Sequence, residues 1–358
     1  MPPAHERVSG AVREARERLR EAGIASADAE ARALVSHAAG GQRSLVSITR
    51  LPEDFDACLA AALERRVARE PLQLILGRAP FRHVSLEVRP GVFIPRPETE
   101  VAIDVVHEWW GAYRAHAEAP LRAIDACTGS GTLAASLLSE FPTARVVAFD
   151  ASERAVDLAS ANLARIAREY ASAHTPGRSA CPPAATPGAV DARFAVHHAH
   201  VGPTDEDLAA LHTLLLGSDP GARADLLVAN PPYIPADAVP RDREVTDYDP
   251  REALYGGGAD GLDVPRAVVA LAARTLAPGG LLVMEHADVQ GAATREIARQ
   301  IGGFTGVRTV RDLTGTDRFL VAERAPLPGA RESTATEDAR TAGQGSSDEC
   351  EESERMSA

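Results

Sequence analysis

The sequence contains no lysine: all 38 of its basic side chains are arginines. Mechanisms that need a lysine amine, such as Schiff-base formation or phosphate binding by a P-loop, are therefore excluded. Acidic side chains number 51, which gives a formal net charge of −13 at pH 7. Because a chain this acidic is poorly suited to sequence-independent contact with phosphates, we expect no direct nucleic-acid partner.

Cysteines and long apolar runs are also scarce. The four cysteines are scattered and form no CxxC pair, so we expect neither a bound metal nor a disulfide framework. No apolar run approaches the roughly 18 residues of a membrane-spanning helix. The opening MPPAHERVSG lacks the basic and apolar stretches of a signal peptide. These absences predict a cytoplasmic protein with no membrane partner.

The first part of the chain carries only helical signals. Apolar residues recur at helical spacing in three stretches, each of which ends at a glycine or a proline. This pattern predicts a small all-helical domain over residues 1–71. Apolar and polar residues then alternate around Pro90–Gly91, which predicts a β-hairpin linker over residues 72–95.

Residues 96–324 alternate predicted strands with predicted helices. The strands are expected at 122–126, 144–150, 225–230, 280–286, 307–313 and 317–323. The last two are joined by a short turn and therefore run antiparallel. This alternation predicts an α/β domain with a mostly parallel, doubly wound sheet and an antiparallel edge.

Two segments have compositions that do not fit a packed core. Residues 171–192 are rich in alanine, proline, serine and glycine, which predicts a surface insert. Residues 325–358 hold three arginines against eight acidic residues and almost nothing apolar. Because such a composition cannot bury enough apolar surface to offset the entropy of ordering, we expect a disordered acidic tail.

A glycine-containing turn joins one predicted strand to the following helix. It reads Asp125-Ala-Cys-Thr-Gly-Ser-Gly131, and its glycines allow the backbone to approach a ligand closely. Asp150 ends the next strand, where a carboxylate can accept hydrogen bonds from both ribose hydroxyls of an adenosine. NAD and S-adenosylmethionine both suit this arrangement. The negative charge of Asp125 favours the cationic methyl donor; a βα turn that binds nothing is the alternative.

A second motif, Asn230-Pro231-Pro232-Tyr233, directly follows an apolar strand. A parallel strand delivers it to the edge of the sheet where doubly wound folds place ligands. The prolines have no N–H, so the Pro231 carbonyl and the Asn230 side chain can accept both N–H bonds of a planar –NH₂ group. The Tyr233 ring can pack against that group. The motif thus predicts a site that orients an amide or aromatic amine for methyl transfer, unless it is only a proline-rich strand end.

Together these motifs resemble those of the N5-glutamine methyltransferases that modify peptide chain release factors. The resemblance covers about residues 10–324 without the insert. The stretches that carry it, in family order, are PLQLILG (71–77), GVFIPRPETE (91–100), DACTGSG (125–131), NPPYI (230–234), EALYGGGADGL (252–262) and DLTGTDR (312–318). DNA adenine methyltransferases share NPPY, whereas IPRPETE together with NPPY and a helical front domain is highly specific.

The resemblance implies a seven-stranded, Rossmann-like methyltransferase sheet and a helical N-terminal domain that helps to recognise the release factor. The substrate would be the glutamine of the factor's Gly-Gly-Gln motif, and S-adenosylmethionine would be the cofactor. By position, the catalytic and substrate-binding residues would be Asn230, Pro231, Pro232 and Tyr233. The cofactor-binding residues would be Phe93, Thr99, Asp125, Cys127, Thr128, Gly129, Ser130, Gly131, Asp150 and Asn230.

The sequence departs from the family pattern in three places. Cys127 stands where many members have glycine, and we expect the turn to survive because cysteine is small. RFAVHHAHV (193–201) replaces a Gly-Asp-aromatic stretch, so either His198 or Ala199 would lie by the adenine. Glu285-His286-Ala287 stands where Glu-x-Gly is common.

Other activities remain as alternatives at this point. They are glutamine methylation of a ribosomal protein, N6-methylation of DNA adenine, NAD-dependent oxidoreduction, and binding of the cofactor without turnover.

Overall fold

A computed structural model describes most of the chain apart from the predicted insert and tail. The described residues are 3–41, 45, 48–113, 119–173, 192–240 and 242–326. The insert predicted over 171–192 and the tail predicted over 325–358 lie almost entirely outside them. In the described part, no helix combines the length and the apolar character needed to cross a membrane.

The N-terminal part is built from helices that share one apolar core. The helices are α1 (Ala4–Glu21), α2 (Ala27–Ala38), α3 (Phe55–Val67) and α4 (Leu72–Leu76). Apolar side chains at helical spacing, such as Leu19, Leu34 and Phe55, meet in that core. The apolar run that forms α4 was expected in the hairpin linker. It is helical instead, and Gly77 ends it in the left-handed conformation.

A buried arginine connects this helical core to the rest of the chain. Arg66 on α3 has a side chain only 8% exposed and donates two hydrogen bonds to the Glu30 carboxylate on α2. It also donates to Oε1 of Glu244 at 3.2 Å, and Arg69 donates to the same oxygen at 3.3 Å. Since Glu244 lies far along the chain, this ion-pair cluster fixes α3 against a short helix of the α/β part, Arg243–Tyr248.

The hairpin lies earlier than predicted. Strand β1 (Arg78–Phe81) pairs antiparallel with β2 (Val84–Glu87), so the turn is at residues 82–83 and the prediction of a turn at Pro90–Gly91 was wrong. The alternating pattern around that dipeptide comes from a strand and a loop that do not pair with each other. Proline lacks the N–H that a ladder needs, and the chain leaves the hairpin there.

Seven strands of the described chain form one sheet in the order β5-β4-β3-β6-β7-β9-β8. They are β3 (Arg122–Ala126), β4 (Arg145–Asp150), β5 (Phe194–His198), β6 (Ala224–Ala229), β7 (Leu276–Glu285), β8 (Phe304–Arg311) and β9 (Asp317–Arg324). Strands β3 to β7 pair in parallel, and β9 runs antiparallel to both of its neighbours. The predicted doubly wound sheet with an antiparallel edge is confirmed.

The described α/β part also contains eight α-helices. They are α5 (Val101–Tyr113), α6 (Thr132–Glu140), α7 (Glu153–Ala173), α8 (Asp205–Leu216), α9 (Arg243–Tyr248), α10 (Arg251–Leu254), α11 (Asp263–Thr275) and α12 (Gly291–Ile301). One apolar core joins the sheet to α5, α6 and α7 and includes Trp109 and Leu137. The other joins it to α8, α11 and α12 and includes Leu211 and Val268.

Removing the charge of Glu30 should destabilise the fold. Glu30→Gln keeps the shape of the side chain but leaves the buried Arg66 facing a neutral partner. We expect the free energy of unfolding to fall by about 2–4 kcal/mol, less than for a fully unpaired buried charge because Glu244 remains. Urea unfolding followed by circular dichroism measures it. Asp28→Asn on the same helix is the control, since its ion pairs are exposed and contribute little. Equal losses of stability in both variants would contradict a special role for the buried pair of Glu30 and Arg66.

Candidate active site

A cavity of about 470 Å³ opens at the carboxyl ends of β3, β4 and β6. Its walls include the glycine-containing turn after β3, Asp150 at the end of β4 and the Asn-Pro-Pro-Tyr motif after β6. Parts of 91–96, 199–201 and 250–255 complete the walls. The structure therefore brings the two motifs of the sequence into one cavity of a size that suits a small-molecule ligand.

The turn after β3 depends on three residues with positive φ: Cys127 at 57°, Gly129 at 56° and Gly131 at 83°. At Gly131 a Cβ atom would lie 3.2 Å from the Ala159 backbone, so glycine permits α6 and α7 to pack closely. Cys127 adopts a conformation that is unfavourable for residues with a Cβ atom. The turn nevertheless forms, and burial raises the pKa of the Cys127 thiol well above its usual value.

Asp125 is buried beneath this turn, with 1% of the residue exposed. Its Oδ2 accepts hydrogen bonds from the Thr128 hydroxyl at 2.6 Å and from the Ala134 N–H at 3.0 Å. Burial raises the pKa of Asp125 to about 7, and the nearby charge of Asp150 adds to the shift. Its Oδ1 has no hydrogen-bond partner among the described residues, although Asp125 contributes to the cavity wall. This oxygen is itself buried, so a ligand could reach it only after a shift of the turn.

Two backbone N–H groups hold the carboxylate of Asp150 in place. Its Oδ2 accepts from the Gly129 N–H at 2.8 Å, and its Oδ1 accepts from the Ser152 N–H at 2.9 Å. Burial raises the pKa of Asp150 above its usual value. Each carboxylate oxygen keeps a further lone pair, so the side chain can still accept hydrogen bonds from ligand hydroxyls.

Asn162 ties the turn to the hairpin. Its Nδ2 donates to the Ser130 carbonyl at 2.9 Å and to the Glu87 carbonyl at 3.0 Å. Its Oδ1 accepts from the Glu87 N–H at 2.8 Å. No local pattern in the sequence indicates this residue, because all its partners are distant in the chain.

The backbone of the Asn-Pro-Pro-Tyr motif packs directly against a glycine-rich loop. A Cβ atom on Gly256 would lie 2.5 Å from the Pro232 carbonyl oxygen, and one on Gly261 would lie 2.3 Å from the Tyr233 carbonyl oxygen. Gln290 fastens the two segments together. Its Nε2 donates to the carbonyls of Tyr233 at 2.8 Å and of Asp260 at 2.9 Å. Gln290 also has no signal in the sequence.

A buried carboxylate lies behind the same motif. Glu285 ends β7 and is 3% exposed. Its Oε2 accepts from the Thr99 hydroxyl at 2.6 Å and its Oε1 from the Tyr233 hydroxyl at 3.3 Å. Asn230 Nδ2 donates to Thr99 Oγ1 at 3.3 Å. Burial raises the pKa of Glu285 to about 7 and also raises the pKa of Tyr233.

The stretch 91–96 covers the cavity beside Phe93. The Arg96 guanidinium lies 5.2 Å from the centre of the Phe93 ring and forms an ion pair with the buried carboxylate of Asp249. Asp249 also accepts from the Ile94 N–H at 3.4 Å. Burial raises the pKa of Asp249. Phe93 thus lines the cavity, and Asp249 holds its loop in place.

The structure distinguishes the two residues predicted for the remaining wall. Ala199 lines the cavity and donates its N–H to the Asp150 carbonyl at 3.0 Å. The His198 ring instead faces the Ala151 carbonyl at 2.9 Å and is not part of the wall. Within the described residues, no group of three or more histidine, cysteine or acidic side chains could hold a metal ion.

Gln290→Glu should loosen the Asn-Pro-Pro-Tyr motif. The variant loses both donors to backbone carbonyls and places a carboxylate against them. We expect the free energy of unfolding to fall by about 2–4 kcal/mol, measured by thermal and urea unfolding. Gln300→Glu near the end of α12 is the control, because Gln300 bonds only to the exposed Glu296 side chain. A loss as large in the control would refute the role of Gln290.

The chain is similar to several known proteins. Residues 10–77 match the family model described as the PrmC N-terminal domain. The chain is 35% identical over 321 residues to the release factor glutamine methyltransferase of Bifidobacterium longum, covering 88% of this chain and 99% of that protein. It is 38% identical over 324 residues to that of Mycolicibacterium smegmatis, covering 89% and 98%. Among solved structures it is similar to a methyltransferase from Pyrococcus furiosus, with 14% identity, a TM-score of 0.40, and coverage of 75% and 98%.

Proposed function

The chain belongs to the family of release factor glutamine methyltransferases, and we propose on this basis that it methylates the side-chain amide nitrogen of a release-factor glutamine. The glutamine is the one in the factor's Gly-Gly-Gln motif. The observation that carries this proposal is the shared cavity, which is lined by the Asn-Pro-Pro-Tyr motif, by the glycine-containing turn and by Asp150.

The cavity residues fit S-adenosylmethionine as the cofactor. The carboxylate of Asp125 in the cavity wall suits the ammonium group of the methionine part through its charge, and Asp150 suits the ribose hydroxyls. The other residues that we assign to the cofactor are Phe93, Cys127, Thr128, Gly129, Ser130 and Asn230, which line the cavity, and Gly131, which does not line it but completes the turn. When bound, this cofactor supplies an electrophilic methyl group on a sulfonium.

The Asn-Pro-Pro-Tyr motif provides acceptors for the substrate amide. We assign the two N–H bonds of the glutamine to the Asn230 side-chain oxygen and the Pro231 carbonyl, while the Tyr233 ring packs against the amide plane. Pro231 and Pro232 lack N–H groups, so neither competes for those acceptors. The residues orient a weakly nucleophilic nitrogen toward the methyl carbon. No strong base is needed beforehand, because the nitrogen becomes acidic only as it gains the methyl group.

We assign release-factor recognition to the helical part, residues 1–71, with 72–95 as linker and 96–324 as the methyltransferase domain. Support comes from the ion-pair cluster of Arg66 and Arg69 with Glu244. The next residue, Val245, lines the cavity. A protein bound to the helical part would therefore lie near the cavity.

Asn230→Ala should lower methyl transfer to a recombinant release factor by at least about 100-fold, because it removes one of two amide acceptors. Incorporation of labelled methyl groups from S-adenosylmethionine measures it. A factor with its Gly-Gly-Gln glutamine replaced should take up no label, and Gln300→Ala serves as the enzyme control. Absence of label on the unaltered factor, or label on a ribosomal protein or duplex DNA instead, would overturn the proposal.

Asp150→Asn should weaken cofactor binding at least about tenfold. The new –NH₂ group removes an acceptor for the ribose and opposes the N–H of Gly129 or Ser152. Isothermal titration with S-adenosylmethionine gives the dissociation constant. Asp247→Asn, in an exposed pair with Arg243, is the matched control and should bind as the unaltered protein does. Equal affinities in the two variants would remove Asp150 from the cofactor site.

A further inference from the structure

We propose that Glu285 and Thr99 are positioning residues that hold the side-chain oxygen of Asn230 toward the substrate amide. The proposal rests on the function proposed above, in which Asn230 accepts a hydrogen bond from the glutamine. It gives Glu285 a role and moves Thr99 from the cofactor to the substrate side of the cavity.

The side-chain amide of Asn230 has two chemically different ends. Oxygen and –NH₂ are nearly equal in size, so rotation by half a turn exchanges an acceptor for two donors at the same place. Only the oxygen end can accept from a substrate –NH₂ group. Something in the protein must therefore select one orientation.

The Thr99 hydroxyl makes this selection. It has one proton, which it donates to Glu285 Oε2 at 2.6 Å. Its oxygen is then left only to accept, and Asn230 meets it with Nδ2 at 3.3 Å. With Nδ2 occupied in this way, Oδ1 is the end that remains for the cavity.

The carboxylate of Glu285 is what fixes the direction of these bonds. An ionised carboxylate can only accept, so it takes the proton of Thr99 and also that of Tyr233. Among the described residues, Glu285 has no ion pair within 4 Å, and both of its side-chain donors are hydroxyls. Burying a charge that has only two hydroxyl donors lowers the stability of the fold. The same charge fixes the direction in which the hydroxyls of Thr99 and Tyr233, both in the cavity wall, donate their protons.

The same polarity selects the substrate. Asn230 Oδ1 and the Pro231 carbonyl form a pair of acceptors, which matches the –NH₂ end of a carboxamide. A carboxylate at that place would meet two acceptors, with the charge of Glu285 behind them. The site is therefore built to accept glutamine and to reject glutamate.

Protonation of Glu285 should release this control. A protonated Glu285 can itself donate a hydrogen bond, so the Thr99 hydroxyl becomes free to donate to Asn230 Oδ1. The side-chain amide of Asn230 can then rotate by half a turn. The other ionisable or charged groups that act on Glu285 are Tyr233, Glu98 and Arg318, the last held by Asp312. Since the pKa of Glu285 lies at about 7, kcat should fall as the pH decreases through that value and level off above it.

Kinetic measurements on substitutions at both residues test the proposal. Thr99→Val keeps the shape but loses the hydroxyl, and we expect kcat for the release factor to fall about 10- to 100-fold. The KM for S-adenosylmethionine should change less than about threefold. Thr99→Ser should recover most of the lost rate. Glu285→Gln should lower kcat to a similar extent and remove the part of its inflection near neutral pH that comes from Glu285, while the part from Asp125, whose pKa is also about 7, remains.

The controls separate this proposal from the one on which it rests. Thr305→Val, at an exposed position of β8, is the matched substitution and should leave the kinetics unchanged. If Glu285→Gln fails to fold, the Thr99→Val and Thr99→Ser pair decides. The proposal is overturned if Thr99→Val keeps kcat within about twofold, or if it raises only the KM for the cofactor. If instead the unaltered protein does not methylate the release factor, it is the proposed function that fails.

Discussion

The parallel register of three neighbouring strands is the constraint on which the rest of the site depends. Ala126, the last residue of β3, is level with Phe149 on β4 and with Ala229 on β6. The residues that follow, Cys127, Asp150 and Asn230, therefore start from one line across the sheet, with about 4.8 Å between adjacent strands. Three segments that are far apart in the sequence thereby share one cavity.

Side-chain bonds to distant backbone groups give that cavity its shape. Asn162 holds the glycine-containing turn, Gln290 holds the Asn-Pro-Pro-Tyr motif, and Asp249 holds the loop that carries Phe93. Each is buried and each connects segments from different parts of the chain. The buried ion pairs use arginine. The planar guanidinium of Arg66 donates to the carboxylates of Glu30 and Glu244 at once, which the single ammonium of a lysine would do less well.

The sequence predicts those parts of the structure that depend on local patterns. Apolar runs and turns indicate the strands of the sheet, and the motifs at strand ends indicate which edge holds the site. The prediction of a hairpin around Pro90–Gly91 was wrong because the alternation of apolar and polar residues does not specify which strand pairs with which. Glu285, Gln290 and Asp249 could not be assigned roles because the partners through which they hold the site are 30 or more residues away. Domain boundaries and the roles of the cavity residues remain predictions.

Helix α9 differs from the rest of the cavity wall in how it is held. It spans six residues, none of them fully buried, and it is held by Glu244, by the neighbouring Asp249 and by the packing of Tyr248 on a small apolar cluster that includes Leu74 and Ile94. A segment with so little apolar burial opens at a free energy well below that of global unfolding. Because α9 pairs with no strand of the sheet, local opening at this wall would leave the sheet intact and would widen the cavity beside Val245.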